Sequence, residues 1–135
     1  MLTKKQIKHF EVAKAVSATA EFRAKIGAAI VIDGQVVSVG TNIRKSHPLQ
    51  QKYDRFRATT PQNIPHYLHA EIAAIVRAKD YDLSKAEIYT YRMTGEGKLG
   101  MSRPCPACMK AIKDFGIKTV AYTTNLGYAI ETLTE

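Results

Sequence analysis

Ile7, Phe10, Val12, Ala13 and Val16 recur near the helical period, while Lys4, Lys5, Lys8, Glu11 and Lys14 lie mostly opposite. That pattern predicts an amphipathic opening helix. Thr3 is placed to cap it, and Gln6 completes a capping box. The pattern then changes. An apolar run over 26–32 and a second β-rich run over 35–40 flank Asp33-Gly34. Asp-Gly between such runs predicts a hairpin, because a type I′ turn needs positive φ at both central residues.

Residues 43–68 look irregular, broken by Pro48, Pro61 and Pro65, with a short helix expected near 49–57. A connection this long in a compact domain is usually functional or partly disordered. A helix is expected from His69 through Ala78 and a strand over 87–91. A glycine-bearing segment over 94–101 comes next. A second helix starts at about Cys105 and stops near Phe115, where Gly116 ends it. Residues 118–123 read as a strand. The tail is too short for a crossover helix and a further strand, so Asn125-Leu126-Gly127 predicts a tight hairpin into a last antiparallel strand. The order α-β-β-α-β-α-β-β predicts an α/β fold of three layers, α/β/α, around a mixed five-stranded sheet. Right-handed crossovers would make its middle strands parallel, with a hairpin at each edge and an antiparallel one at the C-terminus.

Composition narrows the class. One domain, 1–135, is expected at this length, with an ordinary apolar content of 45%. No repeat or low-complexity stretch is present. No run of apolar residues is long enough for a membrane helix, so no membrane partner is expected. Lys4 and Lys5 precede no apolar stretch of a secretory signal, so a cytoplasmic location is expected. The net charge is +8 and uneven: residues 1–68 carry eleven Lys/Arg against four Asp/Glu, residues 69–135 nine against eight. A basic first half suits an anionic partner, either nucleotide phosphate or nucleic acid; a solvated basic face is the simpler explanation. The 43–68 segment mixes Arg44, Lys45, Lys52, Arg55 and Arg57 with Tyr53, Phe56 and Tyr67, residue types that hold phosphates and stack bases.

Two short motifs carry the chemistry: His69-Ala70-Glu71 and Pro104-Cys105-Pro106-Ala107-Cys108. Each falls at the start of an expected helix. Cysteines at i and i+3 on a first helical turn can face one ion, and His69 can supply a third ligand from a neighbouring helix. Three protein ligands leave zinc's fourth tetrahedral position open, as in catalytic sites. A helix N-terminus favours thiolate over thiol. Glu71, two positions past the histidine, points elsewhere and is free to move protons.

These residues resemble the zinc-dependent cytidine and deoxycytidylate deaminases, whose signature is H-x-E followed by P-C-x-x-C. The resemblance extends over most of the chain, because the element order agrees. It implies a zinc-dependent hydrolase that converts cytosine to uracil and releases ammonia. It further implies zinc held by His69, Cys105 and Cys108, and Glu71 carrying protons to the ring N3 and the leaving amine. The Ala70 N–H would hold the base carbonyl, the Pro104 carbonyl would face the amine, and Asn42 would bind a sugar. A small nucleoside or nucleotide, dCMP or (deoxy)cytidine, is the favoured substrate, and self-association into a homo-oligomer is expected.

The antiparallel tail resembles the cytidine deaminase branch, whereas Cys-Pro-x-Cys is frequent among deoxycytidylate deaminases. The twelve residues 92–103 depart from the family pattern and could form a flap. Three alternatives stay open. One is a closed Cys₂His₂ zinc site that adds His66. Another is a thioredoxin-like dithiol. The third is a deaminase acting on cytosine or adenine in single-stranded DNA or RNA.

Overall fold

The computed structural model describes residues 2–56 and 67–133. Helix α1 (Lys4–Ser17) opens with the expected capping box: the Gln6 N–H donates to Thr3 Oγ1 at 3.1 Å and the Thr3 N–H to Gln6 Oε1 at 2.8 Å. Its buried face comprises His9, Phe10, Ala13 and Ser17. The sequence pattern is corrected here, because Ile7 lies outside this face and is 48% exposed.

Strands β1 (Lys25–Ile32) and β2 (Gln35–Thr41) form the expected hairpin. Asp33 and Gly34 both take positive φ, 51° and 78°, as a type I′ turn demands. After β2 come helix α2 (Pro48–Asp54), helix α3 (Ala70–Arg77) and strand β3 (Glu87–Met93). A 3-10 turn at Leu83–Lys85 lies between α3 and β3. The two-residue strand β4 (Leu99–Gly100) folds back on β3. Helix α4 (Pro106–Asp114), strand β5 (Thr119–Thr124) and strand β6 (Gly127–Thr132) complete the chain.

The strand order is β2-β1-β3-β5-β6, with β4 paired to β3 off this path. The sheet is mixed, but it has six strands rather than five, because part of the 92–103 segment adds β4. The expectation of parallel middle strands is also corrected. β1 sits between β2 and β3 and is antiparallel to both; only β3 and β5 pair in parallel. The crossover through α3 therefore skips over β1. The C-terminal hairpin is antiparallel as expected.

Three layers result. On one face of the sheet, Phe10 and Ala13 of α1 pack with Ala29, Val31, Tyr89, Tyr91 and Ala121. Tyr89, Tyr91 and Met93 alternate toward this side and serve packing. On the other face α2, α3 and α4 pack around Ile30, Ile72, Ile75, Ile88, Ile112 and Val120, all fully buried. Each such side chain contributes roughly 1.5–3 kcal/mol through removal from water. Among the described residues no helix is long and apolar enough to cross a membrane.

Candidate metal centre

α3 and α4 present their N-termini side by side. His69 is the N-cap of α3 (φ −79°, ψ 156°) and Cys105 the N-cap of α4 (φ −65°, ψ 166°). Neither side chain caps its own helix, so both are free to turn toward a shared point. Pro106 helps to hold Cys105 extended, since a residue before proline is pushed out of the helical region. Cys108, fully buried, sits on the first turn of α4.

The three donor atoms lie within 4.8 Å of one another. His69 Nδ1 is 3.2 Å from Cys108 Sγ and 3.6 Å from Cys105 Sγ. Tetrahedral zinc with ordinary bond lengths separates a nitrogen and a sulfur ligand by about 3.6 Å. The donor set therefore fits zinc in type, number and spacing. The Cys108 hydrogen bond and His69 hold the Cys105 thiol down to about 4. The bond to Cys105 and burial push Cys108 well up. Burial lowers His69, but contacts with Cys105 and the Glu71 charge outweigh it and raise the imidazole.

Glu71 is 5% exposed. Burial lifts its carboxyl to about 7, against the opposing pull of His69. A carboxyl in that range can take up and release a proton near neutrality, which is what general acid–base work needs. It lies in the first turn of α3, where Ala70 is fully buried. Pro104 is buried on the approach to Cys105.

Asn42 lies at the end of β2 with its amide engaged: Oδ1 accepts from the Ile26 N–H at 3.1 Å and Nδ2 donates to the Ala24 carbonyl at 3.0 Å. Arg103, one of the basic residues near the motif, makes a two-pronged contact with Glu131 at 2.6 and 3.2 Å. Cations of the basic–aromatic segment lie over neighbouring rings: Arg44 over Phe22, which precedes the segment, Lys52 over Tyr53 and Arg55 over Phe56. His66, the extra ligand of a Cys₂His₂ site, lies outside the described residues, as does Arg57. A cavity of about 210 Å³ between His47, Ile75, Val76, Lys79 and Phe115 touches none of the three ligands.

Two arrangements around the site carry no sequence motif. One is a buried hydroxyl cluster that ties the 92–103 segment to the sheet. The Ser102 hydroxyl donates to the Thr90 carbonyl (3.1 Å) and accepts from the Thr123 N–H (2.8 Å). The Thr90 hydroxyl donates to the Ser102 carbonyl (2.8 Å) and the Thr123 hydroxyl to the Gly100 carbonyl (2.7 Å). The segment is thus a hairpin anchored two residues before Pro104, more fixed at its base than a free flap. The other arrangement is the buried polar face of α2: Gln50, Tyr53 and Asp54. Gln50 Oε1 accepts from the His69 N–H at 3.0 Å, and Tyr53 donates to Asp114 of α4 at 2.9 Å.

Comparison with known proteins agrees with this geometry. The profile described as the cytidine and deoxycytidylate deaminase zinc-binding region matches residues 3–124. No curated protein sequence matches the chain. Among solved structures, it is similar to apo dCMP deaminase from the cyanophage S-TIM5 (25% identity, 90% of this chain and 84% of that one, TM-score 0.59). The same phage enzyme in complex with dCMP and dUMP is similar at 23% identity (90% and 82%, TM-score 0.60). Cytidine deaminase from Burkholderia pseudomallei is similar at 23% identity (97% and 93%, TM-score 0.65). Both motifs fall inside the matched span, and the chain belongs to the zinc-dependent cytidine and deoxycytidylate deaminase family.

Proposed function

We propose that this hydrolytic deaminase acts on the cytosine ring of a free nucleoside or nucleotide, dCMP or (deoxy)cytidine. Water adds at C4, ammonia leaves, and the uracil product remains. The observation that carries the reading is the buried Glu71 carboxyl two residues past His69. A closed structural zinc site has no use for a buried acid there. Zinc held by His69, Cys105 and Cys108 supplies, when bound, water acidic enough to react near neutral pH.

In this reading Glu71 takes a proton from the attacking water and returns protons to ring N3 and to the departing amine. Its elevated proton affinity suits both directions of transfer. The Ala70 N–H, a first-turn amide without an acceptor inside its own helix, holds the base carbonyl. The Pro104 carbonyl accepts from the exocyclic amine and so favours a base that carries one. Asn42 faces the sugar with whatever hydrogen-bonding capacity its two backbone contacts leave.

A monomeric substrate is supported by the state of the aromatic residues. Tyr53, an aromatic of the 43–68 segment, is 2% exposed, so it offers no open face on which a base of a strand could stack. The similar phage protein has been solved with dCMP and dUMP, which supports a nucleotide. The chain also self-associates in this reading, supported by the exposed apolar residues Ile7, Tyr128 and Ile130.

The test is product analysis by mass spectrometry on cytidine, deoxycytidine, CMP, dCMP and a cytosine-bearing single strand, in separate reactions. Uracil formed from a monomer is the expected result. Conversion of the strand alone, with affinity falling steeply as salt rises, would overturn the monomer reading.

A further inference from the structure

The segment between β2 and α3 holds a buried polar chain that ends on a metal ligand. Gln50 is 0% exposed and Asp54 is 1% exposed, although α2 is only seven residues long. Buried amides and carboxylates are retained where they are hydrogen-bonded. Here the bonds run in one direction. The His69 N–H donates to Gln50 Oε1 at 3.0 Å, and Gln50 Nε2 donates to Asp54 Oδ1 at 2.7 Å. The carboxylate can only accept and the main-chain amide can only donate. The orientation of the Gln50 side chain between them is therefore fixed.

His69 needs such a partner. As the N-cap it has left the helix, and its imidazole turns toward the cysteines instead of capping. The backbone before it is pinned too: Leu68 donates to the Lys45 carbonyl at 2.8 Å and accepts from the Ile43 N–H at 3.0 Å. Tyr53, on the same face of α2, donates to Asp114 of α4 at 2.9 Å. One short helix thus touches both the residue that bears the imidazole and the helix that bears the thiols.

We infer that Gln50, oriented by Asp54, is a positioning residue for the metal. It holds the His69 main chain in the extended conformation that aims Nδ1 at the two sulfurs. The inference rests on the zinc site and not on which substrate the enzyme takes.

The test measures metal, not turnover. Zinc affinity is determined by competition with a chromophoric chelator, and ligand geometry by the visible absorption of the cobalt-substituted protein. Gln50→Ala is expected to lower zinc affinity by about 10–100-fold, the usual effect of losing a partner that orients a ligand. The cobalt bands should shift or broaden. Gln50→Glu sets two carboxylates together and should weaken zinc similarly. Gln50→Glu/Asp54→Asn keeps the net charge and both hydrogen bonds with the second one reversed. It should recover most of the affinity lost in Gln50→Glu, with wild-type cobalt bands.

Ser38→Ala is the control for general weakening, because it removes a buried 2.6 Å bond from the Ser38 hydroxyl to the Ala74 carbonyl of α3. It should leave the cobalt bands unchanged. If Gln50→Ala does not fold, the comparison between Gln50→Glu and the double variant decides. Wild-type zinc affinity and cobalt bands in Gln50→Ala would overturn the inference. So would a double variant no better than Gln50→Glu, or an equal loss in Ser38→Ala.

Discussion

Gly40 stands against the backbone of Ala70: a Cβ built on it would lie 2.6 Å from the Ala70 carbonyl oxygen and 2.6 Å from the Ala74 amide nitrogen. The sheet therefore meets α3 at its first turn, beside His69, Ala70 and Glu71. No other residue lets β2 and α3 approach so closely. Gly40→Ala is expected to push the helix outward and to lower stability by ~1–3 kcal/mol, as overpacking does. Urea denaturation checks this. An unchanged midpoint would mean that the contact relaxes without cost.

The hydroxyl cluster at Ser102 gives a second expectation. Thr90, Ser102 and Thr123 are 0%, 4% and 0% exposed. Ser102→Ala leaves the Thr123 N–H without its 2.8 Å acceptor. A buried donor left unmet costs about 1–3 kcal/mol. The base of the hairpin should loosen and the Pro104–Cys105 turn with it. The midpoint of denaturation should fall, and so should turnover.

A pH dependence of stability follows from Glu131. Its bonds to Arg103 and Tyr122 hold its carboxyl at about 2, below the ordinary 4.5. A depressed carboxyl stabilises the folded state above its unfolded value. That contribution is lost as pH falls from about 4.5 through about 2. The two side chains are 49% and 33% exposed, so solvent screening limits the effect to about 1 kcal/mol or less. Glu131→Gln should melt slightly below wild type at neutral pH, and the two melting curves should converge in acid. A gap that stays undiminished as the pH falls from about 4.5 to about 2, through the range in which the carboxyl takes up its proton, would contradict the ion-pair account.

Much of this is legible in the sequence. Asp33-Gly34 announces its turn, because few residue types tolerate positive φ, and Asn125-Leu126-Gly127 marks a second hairpin by its turn-forming residue types. The cluster of His69, Cys105 and Cys108 that fits zinc is legible because zinc chemistry demands particular atoms at particular spacings. The place of β1 is less plain, although the sequence holds a signal for it. Its run Ile26-Gly27-Ala28-Ala29-Ile30-Val31-Ile32 is apolar throughout, as suits a strand covered on both faces, while β2 alternates toward an edge. Strand order is a long-range choice that local pattern constrains weakly. Gln50 and Asp54 carried no signal. In Pro48-Leu49-Gln50-Gln51-Lys52-Tyr53-Asp54 they look like the solvated side of a surface helix, and the partner of Gln50 lies 19 residues away. The hydroxyl cluster was hidden for the same reason, since its members come from three separate stretches of chain.

The division of labour between the zinc ligands and Glu71 is tested most directly by one paired measurement. Bound zinc and cytosine deamination would be quantified side by side on wild type, Glu71→Ala and Cys108→Ala. Wild type should hold zinc and convert substrate. Glu71→Ala should hold zinc with turnover abolished, and Cys108→Ala should lose both. Turnover retained in Glu71→Ala, or full zinc occupancy in Cys108→Ala, would contradict the assignment.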